Sequence, residues 1–161
     1  MKRRKPLRRV SPLWAKAKAA GLRRSKGKAN YKNRLWEIFS EYIRRKNADH
    51  AGNVACVTCG KVDHWKRQHA GHYHARTTGL ALYFDEKNVH VQCVGCNHFG
   101  SGNLAQYALF LQRAYGVGIL EELDAKRREF RKITEAEYID LIADYRERLK
   151  NLPLPGLPEA A

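Results

Sequence analysis

Apolar residues recur every three or four positions along several stretches of the chain, which is the spacing of one face of an α-helix. The pattern predicts, in chain order, a short helix over residues 13–20 and longer helices over 31–46, 104–115 and 119–130. A last helix is predicted to begin at Thr134, because Thr134 and Glu137 have the spacing of a capping box. Pro153 and Pro155 are expected to end it.

The segment between the first and second long helical patterns is typical of short β-strands and turns. Residues 65–73 and 80–84 are interpreted as a hairpin joined by a loop around 77–79, because Leu82 and Phe84 alternate with Tyr83. The remaining elements expected here are a strand over 54–59, a turn over 85–88, an extended segment over 89–92 and a helix beginning near Cys96.

These elements predict a small α+β protein with one folded domain. The domain is expected to occupy residues 31–151, preceded by a basic flexible arm over 1–30 and followed by a disordered tail over 152–161. A chain of 161 residues is the size of one domain.

The charge is strongly basic and points to a polyanionic partner. The formal net charge is +15, and residues 1–30 carry twelve Lys and Arg residues with no acid. An excess of this size most often binds nucleic acid phosphates, and the arm is expected to order on them. The arginines of the arm predicted to contact DNA are Arg3, Arg4, Arg8, Arg9, Arg23 and Arg24. A solvated basic surface, or a tail on an anionic membrane, remains the alternative.

No stretch of the sequence has the apolar length of a membrane span, and no apolar region follows the basic N-terminus as in a signal peptide. The sequence therefore predicts no membrane partner and a location in the cytoplasm.

The four cysteines predict a metal site. Cys56, Cys59, Cys93 and Cys96 form two pairs with two residues inside each pair and 33 residues between the pairs. Four thiolates satisfy the tetrahedral preference of a structural Zn²⁺, and the two-residue gap lets both sulfurs of a pair reach one ion. A redox dithiol pair or free buried thiols are the alternatives.

Five of the seven histidines lie close to these pairs, and a structural zinc does not explain them. His69, His72 and His74 share one predicted strand, and His90 and His98 lie near the second cysteine pair. A single histidine is most often a core or surface residue. A cluster inside a loop closed by zinc favours a functional site.

At these residues the sequence resembles a known family. His72, Asn88 and Asn97, set against the cysteine pairs, resemble the pattern of HNH nucleases, which have the ββα-metal fold. The specific anchors are CVTCG, AGHY, NVHVQCVGCN and SGN. They resemble the NinG (Rap) recombination proteins of lambdoid phages and prophages over about 35–151.

The resemblance implies a fold and a function. The expected fold is a small zinc-bound ββα-metal core of treble-clef type surrounded by helices. The expected function is metal-dependent, structure-specific cleavage of branched DNA, such as Holliday junctions and D-loops, inside the bacterial host cell. The helices outside the core could supply a homodimer surface that matches a two-fold junction.

The resemblance also implies residue roles. His72 would be the general base that activates water, and Asn88 would hold the loop that orients it. Asn97 would bind a catalytic Mg²⁺ or Mn²⁺, with His69 as a second ligand. Arg76 and Lys87 flank this region and could hold the scissile phosphate, or could be solvated surface charges.

One position departs from the family pattern. HNH enzymes commonly place Asp or His directly before the base as a metal ligand, and this chain has Gly71 there. His69 or Asp63 would have to complete the ion site, and Asp85 and Glu86 are the other nearby acids. The alternative function is therefore a non-catalytic, zinc-stabilised protein that recognises junctions or promotes annealing of DNA. A weaker alternative is a zinc-ribbon protein that binds RNA or the ribosome.

Overall fold

A computed structural model describes residues 11–19, 21–22 and 28–153. The helices are α1 (Pro12–Ala19), α2 (Lys28–Arg45), α3 (Leu80–Tyr83), α4 (Leu104–Tyr115), α5 (Ile119–Arg127) and α6 (Glu135–Lys150). The strands are β1 (Asn53–Ala55), β2 (Val62–His64), β3 (His69–His72) and β4 (Val89–Gln92). Short 3-10 turns cover Trp65–Arg67 and Arg76–Thr78, and a π-helical turn covers Gly95–Phe99.

Helix α2 is the centre of the larger hydrophobic core. Leu35, Phe39 and Ile43 lie on one face of this helix and are fully buried. They pack with Ile142 and Tyr145 of α6, as the helical spacing predicts. The Phe39 ring meets the Tyr145 ring edge-on, with 5.0 Å between centroids.

The start of α6 confirms the predicted capping box. Glu137 N donates to Thr134 Oγ1 at 3.2 Å, and Thr134 N donates to Glu137 Oε2 at 2.7 Å. Two N–H groups that the first turn cannot satisfy thereby gain acceptors.

The strands form two separate antiparallel pairs. β1 pairs with β2, and β3 pairs with β4 with His69 opposite Gln92 and His72 opposite Val89. The predicted strand over 54–59 is therefore shorter than expected. Its second half, from Cys56, is the turn that carries the first cysteine pair.

The predicted hairpin between residues 65–73 and 80–84 is wrong, because the partner of β3 is β4. Residues 80–83 form α3, where the neighbouring Ala81 and Leu82 are both buried. Successive strand residues face opposite sides, so two adjacent buried side chains suit a helical turn better. All four residues of β4 are buried, including the polar His90 and Gln92, so the apolar–polar alternation of its sequence does not mark a solvent-exposed face.

A second core joins the C-terminal half to the strands. Tyr107 and Leu111 of α4 pack with Ile119 and Leu123 of α5 and with Leu82 of α3. This cluster covers the side of the β3–β4 pair away from α2.

Part of the predicted flexible arm is folded, which corrects the assignment of 1–30. Ala17 of α1 is fully buried in the main core, and Lys16 forms an ion pair with Asp140 of α6 at 2.6 Å. Residues 1–10, 20 and 23–27 lie outside the described residues, as do 154–161 of the predicted tail.

The architecture is mixed α+β, mostly helical with two small antiparallel sheets, in agreement with the predicted class. Within the described residues, no helix has the length and apolar character needed to cross a membrane.

Phe39→Ala is expected to lower the free energy of unfolding by about 3–5 kcal/mol, because it removes a fully buried ring from the centre of the core. Phe130 is 87% exposed and provides a matched control, so Phe130→Ala should change stability by about 0.5 kcal/mol or less. Urea unfolding of both variants measures the difference. An equal decrease of the free energy of unfolding in the two variants would contradict this assignment of the core.

Candidate metal centre and active-site cleft

The four cysteine sulfurs meet at one point of the fold. The Sγ atoms of Cys56, Cys59, Cys93 and Cys96 all lie within 4.8 Å of one another. A tetrahedral zinc with Zn–S bonds of ~2.3 Å separates its sulfurs by about 3.8 Å. The Cys59 and Cys93 sulfurs are 3.7 Å apart, so the residues fit such an ion. This group could hold a metal such as zinc, as the spacing predicts.

The surroundings of Cys56 favour its thiolate, whereas at Cys59 the hydrogen bond from the Lys61 backbone is outweighed by burial and the neighbouring sulfurs, which raise the pKa to about 12. Thr58 Oγ1 lies 3.1 Å from Cys56 Sγ, and Cys96 N donates to Cys93 Sγ at 3.4 Å. Burial alone would raise the pKa of Cys56, but hydrogen bonds from Thr58 and backbone N–H groups outweigh it and lower the pKa to about 6. A thiol that deprotonates below neutral pH is a ready metal ligand.

His72 lies at the end of β3 in an aromatic environment. Its ring stacks on Trp36 of α2, with 5.1 Å between centroids, and meets the Tyr83 ring edge-on at 5.5 Å. The Nε2 atom is 3.0 Å from the carbonyl oxygen of Tyr83. A carbonyl can only accept, so Nε2 carries the proton and Nδ1 of the neutral ring is the basic nitrogen.

The environment keeps His72 neutral. Its pKa is lowered to about 4, chiefly by burial and also by the charge of the nearby Arg76, while the hydrogen bond to Tyr83 opposes both effects. Among the described residues, Nδ1 has no hydrogen-bond partner, and His72 lines an open cleft. The ring can therefore accept a proton from a molecule in that cleft at neutral pH.

Asn88 holds the loop that carries the Tyr83 carbonyl. Its buried amide donates to the carbonyls of Leu82 and His74, both at 3.1 Å. Its Oδ1 accepts from His74 N at 2.8 Å. These backbone hydrogen bonds fix the loop between β3 and β4 next to the Tyr83 carbonyl.

Asn97 and His69 are brought together from the π-helical turn and from β3. Asn97 Nδ2 lies 3.0 Å from His69 Nδ1. Because an amide nitrogen only donates, His69 Nδ1 is the acceptor and is not available to an ion in this arrangement. Burial lowers the pKa of His69, and the charges of Arg44 and His98 lower it further, which keeps the ring neutral.

Gly71 is explained by packing. A Cβ on residue 71 would collide with Gln92 Oε1 and would lie 2.9 Å from Asn97 Oδ1. Gln92 is fully buried, and its Nε2 donates to Gly102 O at 2.7 Å and to Thr58 Oγ1 at 3.3 Å. The Gln92 side chain thus occupies the space that a metal-binding side chain at position 71 would need.

A buried network fixes the same strand from the other side. Tyr107 OH donates to Gly71 O at 2.9 Å, so it accepts from His90 Nδ1 at 3.1 Å. His90 Nε2 then accepts from Tyr115 OH at 2.9 Å. Burial lowers the pKa of His90 to about 3, and this histidine acts as a neutral structural residue.

The cleft beside His72 has a volume of about 460 Å³. Asn97, Arg76, Arg127 and Ser101 line it together with His72. The Arg76 guanidinium lies over the Trp36 ring, 4.8 Å from its centroid, at the opening of the cleft. Lys87 does not line the cleft, and it forms an ion pair with Glu122 at 2.7 Å.

The carboxylates near this region form ion pairs with basic residues outside the cleft. Asp63 pairs with Arg67 and Asp85 with Lys126, and Glu86 pairs with both Lys46 and Arg148. Among the residues that the structure describes, no carboxylate lines the cleft. Within the described residues, no second group of three or more His, Cys, Asp or Glu side chains could share an ion. The cleft therefore lacks the carboxylate set that binds Mg²⁺ in proteins, and the predicted ligand His69 faces Asn97 instead.

Some residues of the site escape prediction from sequence. Trp36 falls beside the apolar face of α2, and Gln92 and Tyr107 look like ordinary strand and helix positions. No local pattern shows that they meet at β3. The predicted DNA contacts Arg3, Arg4, Arg8, Arg9, Arg23 and Arg24 lie outside the described residues.

The family of the chain is decided by comparison with known sequences. Residues 3–154 match the family described as Bacteriophage Lambda NinG protein. The chain belongs to the NinG family. This confirms the resemblance at the level of the family, while the HNH-like branch stays a prediction.

Individual NinG relatives agree with the family match. The chain is 33% identical over 118 residues to the ninG protein of Salmonella phage P22, covering 72% of this chain and 54% of that protein. It is 31% identical over 118 residues to the ninG protein of Escherichia phage lambda, with the same coverage of 72% and 54%. The chain therefore spans about half the length of the curated relatives it matches. No solved structure matches.

Removal of metal is expected to unfold the domain, because the thiolates bring distant segments onto one ion. Treatment with a strong chelator at pH 7 should lower Tm and expose all four thiols to a thiol reagent. Added Zn²⁺ should restore both properties, and added Mg²⁺ should not, since Mg²⁺ prefers oxygen ligands. An unchanged Tm after verified metal removal would contradict a structural metal site.

Gly71→Ala is expected to cost about 1–3 kcal/mol of stability through overpacking against Gln92. Gln92→Ala removes that obstacle. The double variant should therefore lose less free energy of unfolding than the two single variants lose in sum. Gly118→Ala is a suitable control, because nothing lies within 4 Å of its added Cβ. Urea unfolding of the zinc-loaded proteins measures the coupling, and strict additivity would contradict the contact.

Proposed function

We propose that this NinG-family chain is a metal-dependent, structure-specific endonuclease that acts on branched DNA in phage recombination. One observation carries the proposal. His72 lines a cleft together with Asn97 and Arg76, its Nε2 is fixed by a backbone carbonyl, and its Nδ1 is left as the basic nitrogen. This is the arrangement of a general base beside a phosphate-binding group.

In the proposed reaction, a water in the cleft attacks a phosphodiester while His72 Nδ1 takes its proton. The Tyr83 carbonyl accepts from Nε2–H and stabilises the imidazolium that forms. Asn88 acts through the loop, because it holds the neighbouring Leu82 carbonyl and thereby positions Tyr83.

Negative charge grows on the phosphate and on the leaving 3′ oxygen during this step. Arg76 and Arg127 line the cleft, and a guanidinium can pair with two phosphate oxygens. Arg76 has no acidic partner among the described residues, whereas Arg127 pairs with Asp124 at 2.6 Å. Arg76 is therefore the better candidate for the phosphate contact.

A divalent ion would supply further charge stabilisation, but the cleft is a poor site for one by itself. Asn97 offers one oxygen, and no carboxylate from the described part of the chain lines the cleft. The requirement for Mg²⁺ or Mn²⁺ remains part of the proposal and is tested by its omission.

The second candidate function is a zinc-stabilised DNA-binding protein without catalysis. This function is favoured because the nearby acids Asp63, Asp85 and Glu86 form ion pairs outside the cleft. The net charge of +15 supports DNA binding in either case, with the N-terminal arginines as further contacts.

His72→Ala is expected to reduce cleavage of a labelled four-way junction by about 10²–10⁴-fold while DNA binding persists, because it removes the base. His50 is an exposed histidine outside the site, so His50→Ala is the matched control and should cleave normally. Single-turnover assays with Mg²⁺, with Mn²⁺ and with neither ion measure the rates. Tight binding by the unmodified protein with no cleavage under any condition would favour the non-catalytic function.

The pH dependence of cleavage should reflect the lowered pKa of His72. The base works when neutral, and burial holds its folded pKa near 4, below the ordinary value of 6.5. The rate should therefore stay high as the pH falls through 6.5 and decline only at lower pH, as the ring gains its proton. Single-turnover rates on protein with verified zinc content give the profile. An acid limb centred at or above the ordinary histidine value would contradict His72 as the base.

A further inference from the structure

A basic cluster surrounds Trp65, outside the cleft. Trp65 begins the 3-10 turn before β3 and lies against the C-terminal end of α2. Three cations lie over its ring, with Arg44 at 5.3 Å, Arg45 at 5.6 Å and Lys66 at 5.7 Å from the centroid. We call Trp65, Arg44, Arg45 and Lys66 the Trp65 patch.

Two cations of the Trp65 patch lack an acidic partner. Arg45 pairs with Glu41 at 2.9 Å. Arg44 instead donates to the backbone carbonyls of Ser40 at 2.9 Å and Trp65 at 3.4 Å. Within the described residues, no carboxylate forms an ion pair with Arg44 or Lys66.

The environment of Arg44 favours an anion. Its side chain is half-buried, and burial lowers its pKa although Glu41 partly offsets the effect. A partly desolvated cation that forms no ion pair of its own is stabilised when an anion arrives. The exposed Lys66 adds a second positive charge over the same aromatic ring.

The Trp65 patch adjoins the candidate site through His69. The charge of Arg44 acts on His69, and His69 is hydrogen-bonded to Asn97, which lines the cleft. None of the patch residues lines the cleft itself. A strand of phosphates could therefore contact the patch while a scissile phosphate lies near His72.

We infer that the Trp65 patch is a second DNA-backbone contact, which binds the phosphates of a substrate arm outside the cleft through Arg44 and Lys66. The inference rests on DNA being the partner of the chain, and it does not require cleavage. Cations without an ion-pair partner beside a partly buried aromatic ring are typical of surfaces that bind nucleic acid phosphates. A branched substrate offers a duplex arm on each side of the cleavage point, so two separate contacts suit it.

The test measures binding of a four-way junction without divalent ions over a series of salt concentrations. Lys66→Gln should reduce the magnitude of the slope of log K against log salt concentration by about one, because the variant releases one counterion fewer when it binds DNA. Arg44→Gln should have a similar effect. The Lys66→Gln variant decides the test, because its result does not depend on any packing role of Arg44. Lys132 is the matched control, because it is exposed and lies 5.2 Å over the Phe130 ring on the linker before α6.

The result expected is a reduced slope for Lys66→Gln, an unchanged slope for Lys132→Gln and equal Tm for both. A Lys66→Gln slope equal to that of the unmodified protein would overturn the inference. Weaker binding to anionic vesicles with an unchanged DNA slope would assign the patch to a membrane and would also overturn it. A reduced slope in a protein that never cleaves DNA would support the patch and reject the proposed nuclease.

Discussion

Four sulfurs that lie close enough to share one ion constrain the centre of this structure. The first pair sits on the turn after β1, and the second pair follows β4. Val57 N donates to Val91 O at 2.9 Å, so the turn is also tied to β4 by the backbone. Gln92 extends this link through Thr58 and Gly102. Because β4 pairs with β3, the same constraint places His72 and Asn97 on one cleft.

The two hydrophobic cores support this centre in different ways. Helix α2 supplies Trp36, which stacks on His72, while α4 supplies Tyr107, which binds the carbonyl of Gly71. Small domains bury a limited apolar surface, and a metal site can compensate for it. The site therefore depends on packing from both sides of β3 as well as on the cysteines.

The sequence predicts the features that depend on local spacing. The apolar face of α2, the capping box of α6 and the meeting of the four cysteines are all found. The pairing of β3 with β4 could not be predicted, because the alternation over Val89–Gln92 marks an extended segment but not its partner strand. In the sequence, Gly71 stands in place of a metal ligand, and the structure explains it by the packing of Gln92, which lies 21 positions away. Such contacts follow from the tertiary structure and leave no local pattern.

Metal in the cysteine site is expected to hold the His72 ring against the Tyr83 carbonyl. Nitrogen-15 NMR of the histidine rings, in zinc-loaded and zinc-stripped protein, tests this expectation. Zinc-loaded protein should show His72 protonated on Nε2, with its pKa below the ordinary value, and stripping the zinc should abolish both properties. The same tautomer and the same pKa in verified zinc-free protein would contradict it.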